Sequence, residues 1–297
     1  MVDVVRLLWS SCAFAGVRGG VGLCFLVLAV GIAAGISGPP SARAADDPPA
    51  DPGAYAVFGL DSVTLRGKVT VEGGDVGANA PLGRVTMMRR AQVTGAVAAT
   101  TVRLGRNAQA GTLYCTGLEP VRATDATCIP MSPPVVVATT LPIVQAHPGK
   151  ERLRIEPLAS LGPLLPGAYG AVRVGDKAQL ELDGGEYDFR SLWVGYRSQL
   201  TCRRPCTIRI SQYATVRERA LVGAEAAVDA GTVRFEIGGG RGSHAAFRAY
   251  RRATVNATVY APNGGIVLGM NGDYTGSFVG EDVLIYQRSR VTGLGGS

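Results

Sequence analysis

YAPNGGIVLGMNGDYTGSFVGEDVLIY, residues 260–286, sets apolar residues at alternate places in short bursts: Ile266 and Leu268, then Tyr274, then Val283 and Ile285. A period of two belongs to strands, whose successive side chains point to opposite faces. Each burst is too short to make a sheet alone. The pairs Asn263-Gly264 and Asn271-Gly272 are turn signals that ordinarily close hairpins. The stretch is therefore either a set of hairpins in a β-sandwich or a run of corners in a wound sheet.

Spacing along the chain favours winding. One unit recurs: apolar, any, apolar, Gly, two variable residues, a small residue, a polar residue, apolar. It reads VRLGRNAQA from Val102, VRVGDKAQL from Val172, LWVGYRSQL from Leu192 and IVLGMNGDY from Ile266. Looser copies without the Gly start at Val63, Val85, Ile208, Phe247 and Val283. Thr70, Gln92, Gln109, Gln179, Gln199 and Thr215 fall at one shared slot. Neighbouring starts lie about 20 residues apart, the length of one β-solenoid coil. In such a coil two short strands point their alternate apolar residues inward, and a Gly-bearing corner turns the backbone between them. Small Ala or Ser fits the crowded first inward place after the corner. The expected fold is all-β, a single-stranded parallel β-helix, with the sandwich as the alternative.

Outside the coils three segments differ in character. Residues 1–44 hold an uncharged stretch from Gly19 to Gly38, flanked by Arg6 and Arg18 before and Pro39-Pro40 after, and end on Ala42-Arg43-Ala44. This is the form of a signal peptide; the alternative is retention as a membrane anchor, the one route by which the chain would meet a membrane. Residues 118–168 are rich in Pro and read as a linker or cover segment between N-terminal coils, 45–117, and C-terminal coils, 169–297. Arg217 to Ala230 is the one short helix expected, with Leu221, Ala224 and Val228 on one side.

Six cysteines are present, and two leave with residues 1–44. The remaining four suit local disulfides, Cys115 with Cys128 and Cys202 with Cys206, and an oxidising compartment. A zinc site is the weaker alternative, because the spacings match no common zinc motif. The formal charge of +7 falls to +5 when the three Arg and one Asp of residues 1–44 are removed. That excess suits attraction to anionic envelope polymers and does not indicate a nucleic-acid partner.

Two blocks resemble a known group. PGAYGAVRVGDKAQLELDGGEYDFRSLWVGYRSQL (166–200) and VNATVYAPNGGIVLGMNGDYTGSFVGEDVLIYQRSRVTG (255–293) are similar to the β-helical repeat domains of bacterial exported proteins of unknown function, some with variable surface anchors. The shared features are Pro166, Gly167, Tyr169 and Gly170; Gly184, Gly185, Tyr187 and Phe189; Tyr260 to Asn263; and Gly276, Phe278 and Val279. The resemblance implies a right-handed winding and a secreted or cell-surface setting, extracellular or periplasmic. It transfers no catalytic residue. This chain departs from the group in showing no C-terminal anchor.

Candidate sites follow from the repeat register. In-register stacking places Arg103, Arg173, Trp193 and Arg209 up one outer face, with Thr64 and Thr86, where guanidinium and indole groups would hold an extracellular glycan or envelope polymer. The plain alternative is that these side chains only cover the sheet. Asp176, Glu181, Asp183, Glu186 and Asp188 form an acidic turn, which is either a solvated turn or the carboxylates of a calcium site or a polysaccharide lyase or glycoside hydrolase. His147 and His244 lie in loop sequence without a nucleophile motif, and GGGRGS at 238–243 lacks the Lys of a phosphate-binding loop. The expectation is a non-enzymatic structural or adhesive protein with no cofactor and no metal, free to self-associate through its end coils.

Overall fold

The computed structural model describes residues 54–79, 81–120, 126–130, 141–240 and 245–295, all within one compact unit, Asp46–Ser297. The signal-peptide reading of 1–44 lies outside the described residues. Every ladder is parallel, and the chain winds as a β-solenoid of about 11 turns. The bursts of 260–286 are corners and strands of this winding, not hairpins. Thr258–Ala261, Ile266–Leu268 and Asp273–Thr275 belong to one coil, and Phe278–Ile285 opens the next.

Each coil has three strands where the repeat unit alone predicts two, so the cross-section has three faces, A, B and C. The coil from residue 185 shows them in turn. Residues 185–189 lie on A, pairing with Cys206–Ile210; residues 192–194 lie on B, pairing with Ala214–Val216; Gln199–Cys202 lies on C, pairing with Leu221–Ala224. Inward residues alternate along every strand. On B they form one column: Leu153, Val172, Leu192, Ala214, Phe247, Ile266, Val283, Val63, Val85, Val102 and Leu118. Val102, Val172, Leu192 and Ile266 thus stack as the spacing predicts.

The stacking order differs from the chain order. Seven coils run from Leu153 to Thr292, and the N-terminal coils then continue the stack from its C-terminal end. Val63 pairs with Val283 on B, Val57 with Phe278 on A, and Thr70 with Arg290 on C. Ser62 Oγ donates to Asp282 Oδ1 at 2.6 Å across this junction. The chain must therefore return from the last coil, at Gly117–Pro120, to the first, at Leu153–Ile155. Residues 141–151 make that return over face A. Leu141 packs near Phe58 and Val279, the Tyr260 hydroxyl donates to Pro142 O at 2.8 Å, and Glu151 O accepts from Gly170 N at 2.5 Å. The Pro-rich segment is shorter than 118–168, because Leu153–Ile155 and Ser160–Leu164 are strands of the first coil.

Aromatic residues fill the interior, Phe235 against Phe247 at 6.1 Å and Tyr274 against Phe278 at 6.1 Å. A buried tyrosine needs a partner for its hydroxyl. Tyr187 donates to Leu164 O at 2.7 Å and accepts from Asp183 N at 3.1 Å; Tyr274 donates to Gly269 O at 2.9 Å, and its burial pushes the phenol pKa upward. The crowded place after the B–C corner holds small buried residues, including Ala178, Ser198, Ala220, Ala253 and Ala91.

The helix expected at 217–230 is absent. Leu221–Ala224 is a strand, and the described residues hold only a 3-10 turn, Ala230–Thr232. Leu221, Ala224 and Val228 fit a helical stripe, but Ala220, Val222 and Ala224 are buried at period two, and pairing with strands on both sides decides the matter. Both disulfides form as expected. Cys202–Cys206 spans a corner between faces C and A, and Cys115–Cys128 holds residues 126–130 against the last coil. There Ile129 bridges Tyr114 and covers the edge of face A.

Candidate functional site

The three faces are not equally free. On face A the outward residues of the N-terminal coils, Phe58 and Tyr114, are buried with Leu141 of the return segment. The outward residues of the earlier coils on A are tied to each other. Arg209 Nη2 meets Glu186 Oε2 at 2.7 Å, and Arg209 Nε meets Asp188 Oδ1 at 2.9 Å. The hydrogen bond to Asp188 raises the Arg209 pKa, with burial opposing.

Arg209 therefore does not share a face with Arg103, Arg173 and Trp193. The motif from Ile208 places Ile208, Ile210, Ala214 and Val216 inward across an A–B corner, and this imitates the B–C corner of the other copies. Thr215 moves with it, to the outer column of B beside Trp193. Gln179 pairs with Gln199 and Gln92 with Gln109, but Leu221, Thr254, Asp273, Arg290 and Thr70 separate the two pairs. The four glutamines of the shared repeat slot thus form two pairs, of which Gln92 and Gln109 join amides at 3.4 Å.

Face B is open along the stack. Its outward column runs Arg154, Arg173, Trp193, Thr215, Arg248, Val267, Leu284, Thr64, Thr86 and Arg103. Arg173 and Trp193 are neighbours, with the guanidinium 4.4 Å from the ring centroid. Arg103 lies in the same column, eight coils further on. The strip beside this column repeats the pairing: Arg217 over Tyr250 at 4.7 Å and Arg66 over Tyr286 at 4.6 Å. Depressions run along it. One is lined by Tyr213, Thr215, Ala245, Arg248 and Tyr250, and the next shares Arg248 and Tyr250 and extends to Leu284 and Tyr286. The candidate row left out Arg217, Arg248, Tyr250 and Tyr286, although the copy from Phe247 puts Arg248 in the slot of Arg173.

The corner between B and C carries a second pattern. The last of its three residues adopts positive φ in ten coils, from Leu158 (φ 66°) to Asn107 (φ 58°). The N–H of that residue donates to the carbonyl of the middle corner residue in the next coil: Lys177 to Tyr196 O at 2.8 Å, Arg197 to Glu218 O at 3.0 Å, Arg219 to Arg251 O at 3.2 Å, Arg288 to Gly67 O at 3.3 Å. The ladder thus crosses the junction between the C-terminal and N-terminal coils. The side chains at this place are Lys177, Arg197, Arg219 and Arg252 on successive coils, then, past Asn271, Arg288, Lys68 and Arg90. All seven cations are exposed. A third depression lies here, lined by Gly67, Lys68, Arg89, Arg90, Gln287 and Arg288.

The acidic turn is dispersed among arginines. Asp176 Oδ1 accepts from Tyr196 N at 2.8 Å, Glu181 faces Arg203 at 3.5 Å, and Asp183 meets Arg204 at 2.5 Å. Glu186 and Asp188 converge, but on the single guanidinium of Arg209. The described residues contain no group of three or more His, Cys, Asp or Glu placed to hold a metal ion. His147 is an exposed residue of the return segment, and His244 and Arg241 to Ser243 lie outside the described residues. At the first coil Leu158 and Leu165 are exposed, at the end where self-association was expected, whereas residues 126–130 cover part of the opposite end. No helix among the described residues is long and apolar enough to cross a membrane. Comparisons with protein-family models, curated proteins and solved structures found no match for this chain.

Proposed function

We propose that this chain is an exported, non-enzymatic scaffold of the bacterial surface, whose face B is a contact surface for glycan or envelope polymer. The observation that carries the reading is the distribution of arginine–aromatic pairs. Arg173–Trp193, Arg217–Tyr250 and Arg66–Tyr286 lie on face B or the rim that leads to C, while face A is used by the return segment and its own ion pairs. Stacked guanidinium and ring edges offer both apolar contact and hydrogen-bond donors, which suit the hydroxyl-rich surface of a sugar chain. A stack of parallel coils holds those groups at fixed spacing, so a long ligand meets a preorganised row. The export reading rests on residues 1–44, the two disulfides and the resemblance to exported repeat domains. Against the lyase or hydrolase alternative stands the pairing of the acidic turn, since a carboxylate that neutralises an arginine is a poor general acid or nucleophile.

A glycan array probed with the full chain, with Arg173→Ala and with Trp193→Ala tests this reading. The expected outcome is binding by the full chain that weakens by roughly 5–30-fold in Trp193→Ala, the range of a desolvated cation–aromatic contact. Unchanged binding in both variants would dismiss face B as the contact surface.

A further inference from the structure

We propose that the B–C corner is a comb of cations that binds an extended acidic polysaccharide along the solenoid axis. The inference deepens the glycan-contact reading of face B and rests on it, but a separate observation carries it. Positive φ in this range is a conformation that Gly and Asn adopt readily and that bulky L-residues adopt at a cost. At the ten stacked positions there is no Gly, Asn stands at two, and Lys or Arg stands at seven. A side chain chosen against its backbone preference, at the same place in coil after coil, points to a use for the side chain itself.

Charge makes the same argument. Parallel neighbours lie about 4.8 Å apart, and like charges placed directly opposite one another are destabilising. Lys177, Arg197, Arg219 and Arg252 nonetheless follow one another without a break, and among the described residues none of the seven cations forms an ion pair. Two carboxylates stand at the adjacent corner position, and both are engaged: Asp176 with Tyr196 N and Glu218 with Arg251 at 3.5 Å. Arg197 lies over the Tyr196 ring at 5.1 Å and Arg219 Nη1 donates to the Tyr196 hydroxyl at 3.3 Å, but neither contact neutralises a charge, so the row is left to an external anion that repeats along the axis.

An acidic polysaccharide fits this row. It carries a carboxylate on successive rings, so its charge repeats on the scale of one coil, and its hydroxyls face the neighbouring arginine–tyrosine strip. A single-stranded nucleic acid fits less well. It is held by bases stacked on bare aromatic rings, whereas Trp193, Tyr250 and Tyr286 each already carry a guanidinium over the ring.

The test uses the full chain and the triple variant Arg197→Asn, Arg219→Asn, Arg252→Asn. Asparagine tolerates the corner conformation, so the variant removes charge while keeping the turn, and its melting temperature is expected to stay level or rise. The probes are a size-defined oligouronate, a neutral oligosaccharide of matching length and a single-stranded DNA of matching charge. The expected result is oligouronate binding by the full chain that weakens about tenfold or more in the triple variant, with the slope of log affinity against log salt reduced by about 3. Equal oligouronate binding by the full chain and the triple variant overturns the comb, as does tighter binding to the DNA. If Trp193→Ala weakens sugar binding and the triple variant does not, the comb fails and face B stands. If neither change matters, both readings fail.

Discussion

Val283→Asp is expected to separate the two runs of coils. Val283 is buried on face B between Ile266 and Val63, at the place where the C-terminal stack ends and the N-terminal stack begins. A carboxyl group there has no partner and must either stay charged in an apolar interior or take up a proton. Either outcome costs about 4–5 kcal/mol, at the upper end for single substitutions. Because each coil touches only its neighbours, a solenoid behaves as a one-dimensional chain of units, and damage at one rung is not shared evenly along it. Calorimetry is expected to show two transitions in place of one, the earlier lower by about 8–20 °C, with proteolysis first releasing residues 55–120. Asp282→Ala, one residue away, loses only an exposed hydrogen bond from Ser62 and is expected to shift the melting temperature by a degree or two at most. A single unshifted transition for Val283→Asp would contradict the junction.

The second large effect is expected at Gly276. It turns the chain from face C to face A at φ 141°, and a Cβ there would sit 2.1 Å from the carbonyl oxygen of Ala257 in the coil below. Backbone cannot move aside as a side-chain tip does. Its N–H also donates to Thr292 O at 3.0 Å, so displacement breaks the ladder to the next coil. Gly276→Val combines an unfavourable dihedral with this clash and is expected to cost about 3 kcal/mol or more, a fall of about 6–12 °C. Gly295 gives the contrast. Its φ is 64° and nothing lies within 4 Å of the added atom, so Gly295→Ala is expected to lower the melting temperature by about 2–4 °C at most. Equal effects at the two positions would mean that the tight corner is not what the fold requires.

The winding itself was legible because a buried strand face forces a period of two and a corner forces a small residue, and both repeat about every 20 residues. Eight of the nine repeat starts, all but Ile208, occupy the inner column of face B. Ile208 failed because apolar alternation carries no label for the face it serves. Three-residue corners then make A–B look like B–C. The stacking order was not legible for a related reason. Any coil can lie on any other through backbone hydrogen bonds and apolar columns, and which coil follows Thr292 depends on a long return of the chain that has no period of its own. The cation comb was in plain view as the second of the two variable corner residues, but positive φ at that place is a backbone property that the apolar pattern does not report. The helix expected at 217–230 shows the opposite error, a helical stripe overridden by strand pairing on both sides.

The central claim is that the N-terminal coils continue the C-terminal end of one solenoid, so that the open face and the row of corner positions run through both. Thr64 and Leu284 are outward neighbours across that junction, paired on adjacent parallel strands about 4.8 Å apart. With both native disulfides intact, Thr64→Cys with Leu284→Cys is expected to crosslink with a short thiol-reactive bridge in the monomer, whereas Thr64→Cys with Arg154→Cys, at the far end of the same column, is expected not to. Failure of the first pair to crosslink, or equal crosslinking of the second, would contradict the account.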